Sequence, residues 1–326
     1  MKRDLTKLHS IQFRPRYLLD NTKTTRADKK MHNGWTMVLA FSRVWCVRPF
    51  FRMFEALEFD RSQCHLLIYN NTNDAFLDKA LQKYAKRYQQ MHRSRTGSHK
   101  LHPRFASVRH FKSFRKYGGL VFGQKLDFDK SKLPAIWDMY KDITSMITTK
   151  KFFMLEDDTL APPHAVERIF RRLERSKKIG LVSGVETTRS PRITDKVRLG
   201  TYKLLWDGNM MRERVSMDPK LTGFQECDAC GVYCFAAKTK AWRKAWEIWT
   251  SEFETHKTTE PSWAPDVLCT NAVKKAGYKI FADFDTPCLH MQTMGDKIYE
   301  WAIDRAVVML DIWLDKYKTY ARGVEL

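Results

Sequence analysis

Short apolar runs alternate with segments of helical periodicity in the first half of the chain, and this alternation limits the folds open to it. The runs at residues 36–41, 64–69, 151–155 and 179–185 have the length of strands, and apolar residues recur at helical spacing in the segments that follow them. Consecutive apolar residues suit strands that are covered on both faces. The pattern predicts an α/β fold in which helices flank a mixed, mainly parallel sheet with right-handed crossovers.

The second half of the chain departs from this alternation. Residues 187–218 are polar and lack a clear period, so we expect them to be irregular. The further elements that apolar spacing predicts are strands at 230–236 and 278–281 and helices at 266–276 and 296–320. Gly277 is expected to end the helix before it, in the C′ position.

The chain is predicted to form one main domain, residues 34–295, between a basic N-terminal arm (1–33) and a C-terminal helix (296–326). Its 326 residues, 43% of them hydrophobic, suffice for a large core. No apolar run approaches the roughly 20 residues of a membrane span, and the arm lacks the apolar stretch of a signal peptide. We therefore expect a cytoplasmic protein, in the host cytoplasm if its source is viral, with seven reduced core cysteines. The oligomeric state stays open.

Positive charge is concentrated in one part of the sequence. The net charge is +21, and residues 79–126 hold 13 Lys and Arg and four His with no Asp or Glu. Aromatic residues are interleaved with the basic ones, as in surfaces on which nucleic-acid bases stack. We interpret this segment as a basic, acceptor-binding insertion for DNA. The alternative is charge that serves only solubility.

Three consecutive acids follow the third apolar run. Phe152–Leu155 leads into Glu156, Asp157 and Asp158, and two prolines at 162–163 suit the first turn of a following helix. The acids would thus lie at the carboxyl end of a buried strand, where open α/β sheets bind their ligands. Three adjacent carboxylates repel one another unless a cation or a hydrogen-bond donor compensates them. The cluster indicates either a divalent metal site or a solvated acidic turn.

The order of these elements resembles the GT-A glycosyltransferases, which have a Rossmann-like fold, and their family 2 in particular. Glu-Asp-Asp at 156–158 stands in the place of the family's D-x-D motif, in the E-D-D form. Pro-Asp-Val-Leu at 265–268 and Ala-Gly-Tyr-Lys-Ile at 276–280 look like the family's E-D-x-x-L and G-Y-x-I segment. His290 follows where many such enzymes have a metal-binding histidine. The resemblance covers residues 35–292.

The resemblance implies a transferase that uses a nucleotide-sugar, most often a UDP-sugar, and Mn²⁺ or Mg²⁺. By this resemblance, Asp158 is the direct metal ligand and His290 completes the metal site. Glu156 is then expected to face the ribose or a metal-bound water. Asp266 is similar to the general base of the family, which takes the proton from the acceptor hydroxyl and gives inversion. From the residues alone, Asp266 could equally cap the helix that follows it, and His290 could be a core histidine.

The donor nucleotide is expected at the ends of the first strands. Ala40, Ser42 and Arg43 are assigned to the end of strand one, Asn70 follows strand two, and Glu156 and Asp157 follow the third apolar run. The resemblance assigns these positions to nucleotide binding. Ordinary turn residues are the alternative reading.

The acceptor class is inferred from charge together with this resemblance. A basic glycosyltransferase without a membrane span looks like the phage enzymes that add sugars to hydroxymethylated pyrimidines in DNA, such as hydroxymethylcytosine. The basic arm and the segment 79–126 would hold the phosphates, and the modified base would be extruded toward Asp266. The alternatives are a transferase for a glycan, a protein or a membrane surface, and a DNA-binding protein with a decayed GT-A domain.

Overall fold

The computed structural model describes residues 33–71, 74–90, 105–113, 132–186, 199–207, 210–256 and 265–290. The predicted arm up to residue 32, the predicted C-terminal helix and most of the basic segment lie outside these residues. In the described ranges, no helix is long and apolar enough to cross a membrane.

Twelve strands and six α-helices make up the described part of the chain. The strands are β1 (Trp35–Phe41), β2 (Cys64–Asn70), β3 (Ser107–Lys112), β4 (Lys151–Glu156), β5 (Thr159–Leu160), β6 (Ile179–Glu186), β7 (Thr201–Asp207), β8 (Met210–Ser216), β9 (Phe224–Cys227), β10 (Ala229–Cys230), β11 (Cys234–Lys238) and β12 (Lys279–His290). The helices are α1 (Val47–Ala56), α2 (Ala75–Gln90), α3 (Lys132–Met146), α4 (Ala165–Glu174), α5 (Thr239–His256) and α6 (Pro265–Lys275).

A nine-stranded sheet forms the centre of the molecule, in the order β3-β2-β1-β4-β11-β6-β12-β5, with β9 also paired to β12. Strands β1, β2, β3, β4, β6 and β12 run in one direction, and β5, β9 and β11 run against them. A separate three-stranded sheet has the order β10-β7-β8. The predicted mixed, mainly parallel sheet flanked by helices is therefore confirmed.

Both faces of the central sheet are buried, which explains the uninterrupted apolar runs. All seven residues of β1 are buried. Val38 and Ala40 belong to the core that includes residues of α3, α5 and α6, while Met37, Leu39 and Phe41 belong to the core with residues of α1, α2 and α4. Because successive side chains of a strand point to opposite faces, each core receives every second residue. The seven cysteines are buried and form no disulfide, as predicted.

Local signals in the sequence set several helix ends. The carboxylate of Asp74 accepts hydrogen bonds from the backbone N–H groups of Phe76 (2.7 Å) and Leu77 (3.0 Å), which caps α2. Gly277 has a φ of +87°, the left-handed conformation that favours glycine, directly after α6 and its turn. The predicted end of that helix is confirmed.

Several predicted elements differ from the structure. Part of the segment 187–218, expected to be irregular, forms the antiparallel pair β7 and β8, in which apolar residues such as Leu205 and Val215 are exposed and hide the strand period. The predicted strand 230–236 is interrupted at residues 231–233 and divides into β10 and β11. The two prolines at 162–163 precede α4 instead of opening it. Residues 79–90 and 107–112 of the basic segment belong to α2 and β3.

Strand β12 is longer than the predicted 278–281, contains a bulge, and continues past the end of β6. Its register against β6 shifts between Ala282 and Pro287, and its last residues pair with β5. The bulge is held by ion pairs from α4, since Arg168 contacts both Asp283, at 2.7 Å, and Asp285. The register after the bulge places His290, the last residue of β12, opposite Thr159, which follows the acid triplet.

Candidate active site

The acid triplet lies at the carboxyl edge of the sheet, between β1 and β12. Glu156 is the register partner of Ala40, and the backbone N–H of Asp157 donates to the carbonyl oxygen of Ala40 at 3.1 Å. The loop that follows β1 therefore runs directly beside the triplet, which places Ser42 and Arg43 next to it.

Asp157 ties the loop after β1 to the end of β4. Its Oδ2 accepts hydrogen bonds from the backbone N–H groups of Ser42 and Arg43, both at 2.7 Å, and its Oδ1 contacts the Arg43 guanidinium at 2.5 Å. Burial raises the pKa of Asp157 above its ordinary value, although the charge of Arg43 acts in the opposite direction. Both carboxylate oxygens of Asp157 thus face the loop.

Arg43 bridges two of the three acids. Its Nη1 lies 3.1 Å from Oδ2 of Asp158 in addition to its contact with Asp157, and the Arg43 side chain is 14% exposed. Burial disfavours the charge of the guanidinium, but the carboxylates of Asp158 and Asp157 outweigh it, and the pKa of Arg43 is raised above its usual value. Arg43 is therefore a permanent cation beside the acid pair.

Asp158 and His290 are brought into direct contact by the end of β12. His290 is the register partner of Thr159 in β5, the residue that follows Asp158. As a result, Nε2 of His290 lies 2.9 Å from Oδ2 of Asp158. The side chains of His290 and Asp158 are 7% and 2% exposed. Two residues that are 132 positions apart in the sequence thus form one buried carboxylate–imidazole pair.

Glu186 is a member of this cluster that sequence reasoning missed. It is the last residue of β6 and is buried; its Oε1 accepts a hydrogen bond from Oγ1 of Thr159 at 2.8 Å, and its Oε2 lies 3.8 Å from Nδ1 of His290. Burial raises the pKa of Glu186 to about 8, with the charge of His290 lowering it and that of Asp158 raising it. The available signal was an acid at the end of an apolar run, which is the same signal that marked Glu156.

Asp266 lies near Tyr140, which contacts Glu156. It is in the first turn of α6, which begins at Pro265, two residues earlier than a capping role for Asp266 would require. Oδ2 of Asp266 is close to the backbone of Gly231, since a Cβ atom there would lie 3.4 Å from it. The buried Tyr140 connects the two acids: its hydroxyl is 3.4 Å from Oε1 of Glu156, and burial followed by the charges of Glu156 and Asp266 raises its pKa.

Asn70 is turned away from the triplet. The side chain is fully buried, and its Nδ2 donates to Oδ1 of Asp78 in α2 at 3.0 Å. Asp78 also lies 3.5 Å from Nε2 of His110 and 3.7 Å from Nζ of Lys112, both in β3. An acid from the helix thus stands beside the end of β2, a feature that the sequence around Asn70 did not reveal.

The predicted residues therefore form one continuous group, except for Asn70, which lies two strands away from β4. Arg43, Asp157, Asp158 and His290 make a chain of direct contacts, and Glu156 is linked to the neighbourhood of Asp266 through Tyr140. Within the described ranges, no set of three His, Cys, Asp or Glu side chains is arranged to hold a metal ion. The protein itself therefore offers a pair of adjacent donors, Asp158 and His290.

The chain is similar to solved structures but matches no protein-family model. The structure of GalNAc-T7 with UDP, GalNAc and Mn²⁺ matches with a TM-score of 0.48 and 11% identity, over 79% of this chain and 44% of that one. The mannosyltransferase PcManGT from Pyrobaculum calidifontis, in complex with GDP-Man and Mn²⁺, matches with a TM-score of 0.46 and 10% identity, over 84% and 61%. No protein-family model and no curated protein matches the sequence. The chain spans about half the length of these two solved structures.

Proposed function

We propose that this protein is a GT-A glycosyltransferase that uses a divalent cation to move a sugar from a nucleotide-sugar to a hydroxyl group. The observation that carries the proposal is the buried contact between Asp158 and His290 at the carboxyl edge of the sheet. A carboxylate and an imidazole at this edge match the positions that the sequence motifs assign to the metal site. The expected cation is Mn²⁺ or Mg²⁺, and the expected donor is a UDP-sugar.

The residues present fit such a cation. Oδ2 of Asp158 and Nε2 of His290 are 2.9 Å apart, and two ligands at right angles, each about 2.1 Å from one ion, would be about 3.0 Å apart. Cations of this type commonly take one or two protein ligands and complete their shell with substrate phosphates and water. The absence of a third protein ligand in the described ranges agrees with a cation that arrives with the donor.

Arg43 and the cation would both compensate negative charge at this edge of the sheet. When bound, the cation stabilises the charge that grows on the diphosphate leaving group. Arg43, held by Asp157 at the end of β1, keeps a second positive charge at the same edge. We assign Ala40, Ser42 and Arg43 to the wall of the donor site, and Glu156 to the ribose or to a cation-bound water.

Asp266 is our candidate for the general base. Its carboxylate is half-buried at the start of α6, close to Gly231 and near Tyr140, which contacts Glu156. A base at that place would take the proton of the acceptor hydroxyl while its oxygen attacks the anomeric carbon. Attack from the face opposite to the leaving diphosphate inverts the configuration of that carbon. We therefore propose an inverting reaction.

We propose DNA that contains hydroxymethylated pyrimidine as the acceptor. The support is the acid-free basic segment, of which Lys79, Lys83 and Lys86 are exposed on α2. These residues lie beside β2 and β3, and β3 is five strand positions from β6, against which α6 packs. At about 4.8 Å per strand, the separation within the sheet is about 24 Å, and α2 and α6 lie on opposite faces of the sheet. A bound acceptor must therefore be long enough to reach across the sheet edge, as a nucleic acid is.

The test is a transfer assay with the full chain. Donors are UDP-glucose, UDP-N-acetylglucosamine, UDP-galactose and GDP-mannose, each with Mn²⁺ or with EDTA. Acceptors are duplex DNA with hydroxymethylcytosine, the same duplex with cytosine, and an oligosaccharide. We expect cation-dependent transfer to the modified duplex only. Transfer to the oligosaccharide alone would refute the DNA acceptor but not the transferase activity. Absence of both transfer and donor hydrolysis with every donor would refute the proposal that the protein is a transferase.

Two variants separate the proposed roles, and one controls for the loss of a carboxylate. Asp158→Asn should abolish cation-dependent donor hydrolysis, and Asp266→Asn should abolish transfer but leave donor hydrolysis. Asp218→Asn changes an exposed aspartate that accepts a hydrogen bond from Lys220 N–H in a turn, and it should retain both activities. Transfer by Asp266→Asn at the wild-type rate would remove Asp266 from the role of base.

A further inference from the structure

A buried carboxylate next to the proposed cation site has no role in the reaction outlined above. Glu186 is 3% exposed, at the end of β6, and it contacts Thr159 and His290. The three residues come from three different strands that meet at one point, because β12 pairs with β6 along its length and with β5 at its end. Such a junction lets one side chain fix the position of another.

The imidazole of His290 lies between two carboxylates. Its Nε2 is 2.9 Å from Asp158 and its Nδ1 is 3.8 Å from Glu186, and the side chain is only 7% exposed. For Nε2 to offer its lone pair to a cation, the single proton of the neutral ring must be on Nδ1. A cation bound at Nε2 favours the ionised form of Glu186, and a carboxylate on the Nδ1 side favours that tautomer, as outer carboxylates do for histidines that bind metals.

We propose that Glu186 is a positioning residue that holds His290 with its proton on Nδ1 and its Nε2 lone pair directed to the cation. The proposal rests on the proposed function, because it gives His290 a cation to bind. Thr159 has a supporting part: its Oγ1 donates to Oε1 of Glu186 at 2.8 Å, which leaves Oε2 as the oxygen on the His290 side. Glu186 would act only through His290.

The Glu186→Gln variant gives a specific expectation. The amide has a single acceptor oxygen, and the Thr159 hydroxyl already donates to that position. The amide NH₂ group would then face Nδ1 of His290, which favours the tautomer with the proton on Nε2 and removes the lone pair from the cation. A buried acid with a purely structural role would not change the tautomer of His290.

The tautomer is read by NMR on the full chain labelled with ¹⁵N at histidine, in the presence of UDP and the diamagnetic Mg²⁺. His290→Gln identifies the signal by its loss. We expect the Nδ1–H form in the wild type and the Nε2–H form in Glu186→Gln. In titration calorimetry with UDP present, Glu186→Gln should bind Mn²⁺ about 10- to 100-fold more weakly than the wild type. Glu186→Asp, which keeps a carboxylate, should keep the Nδ1–H form and lose less affinity.

Glu174→Gln serves as the control, because Glu174 pairs with Lys151 at the amino end of β4, away from His290. This substitution should leave the Mn²⁺ affinity unchanged. The inference is overturned if Glu186→Gln keeps both the Nδ1–H form and the wild-type affinity. A wild type that binds no Mn²⁺ in the presence of UDP would overturn the proposed function and the inference together. If Glu186→Gln does not fold, as judged by circular dichroism, the Glu186→Asp variant decides through the same two measurements. Wild-type Mn²⁺ affinity together with the Nε2–H form in that variant would overturn the inference.

Discussion

Replacing Arg43 with Met tests whether the acid triplet depends on a counterion supplied by the chain itself. The guanidinium contacts two carboxylates whose side chains are 2% exposed. At the 3.1 Å between Nη1 of Arg43 and Oδ2 of Asp158, the attraction is about 5 kcal/mol at an effective dielectric constant near 20. Desolvation of the three ions offsets much of this attraction, but removing one partner leaves the others buried and uncompensated.

We expect Arg43→Met to lower the free energy of unfolding by about 3 kcal/mol, near the lower end of the range for breaking a buried ion pair. In a domain of this size, that loss corresponds to a fall in Tm of roughly 6 to 12 °C. The measurement is urea unfolding followed by circular dichroism, without divalent cations. Arg87→Met is the matched control, because Arg87 pairs with Glu55 at 3.1 Å on the surface and is 55% exposed, so its loss should cost less than about 1 kcal/mol.

A double-mutant cycle with Asp157→Asn isolates the pair. If Arg43 acts as the counterion, Arg43→Met should cost much less in the Asp157→Asn background, with a coupling energy of about 2 kcal/mol. Mn²⁺ should also stabilise Arg43→Met more than the wild type, because a divalent cation can replace the missing charge. The reasoning is refuted if Arg43→Met costs no more than Arg87→Met, or if the two substitutions in the cycle are additive.

Three further predictions concern the site and two helix ends. Asp158→Asn should reduce cation-dependent sugar transfer by about 100-fold or more, measured as kcat/KM, because the leaving diphosphate loses its charge stabilisation. Asp74→Ala should lower the free energy of unfolding by about 1 kcal/mol, since the N–H groups of Phe76 and Leu77 lose their acceptor. Gly277→Ala should cost about 1 kcal/mol through its φ of +87° alone, because an added Cβ atom meets nothing within 4 Å; Gly277→Asn should cost less. Both stability changes are measured by urea unfolding, and wild-type stability in either alanine variant would contradict its explanation.

The sheet could be predicted from the sequence because its signals are local. The run 36–41 is apolar at every position but one, and β1 is buried on both faces, as expected. The same holds for 151–155 and 179–185, which are β4 and β6 within one residue at either end. The pair β7 and β8 was missed because it is exposed on one side: Leu205 is 51% exposed and Val215 is 42% exposed. A strand of this kind lacks the contrast between buried and exposed positions that makes alternation visible.

The partners within the site could not be predicted because they depend on pairing between distant strands. Glu186 is an acid at the end of a predicted strand, but its contact with His290 exists only because β12 bulges past β6 and joins β5. Likewise, nothing near Asn70 in the sequence indicates that Asp78 would turn back to its amide. Positions in a strand follow from a local period, whereas contacts at the sheet edge follow from the register of strands that are far apart in sequence.

The three acids of the triplet are not equivalent, and strand geometry is the reason. Successive residues of an extended chain point to opposite faces, so Glu156 lies on the side of Met154 and Tyr140, and Asp157 lies on the opposite side, against the loop after β1. The chain then turns, and Asp158 meets His290. Glu156 and Asp157 are thereby directed to different partners, and only Asp158 has a carboxylate oxygen shared with an imidazole. The E-D-D sequence is therefore expected to supply one cation ligand, one residue that fixes the loop beside the donor, and one residue, Glu156, for the ribose or a cation-bound water.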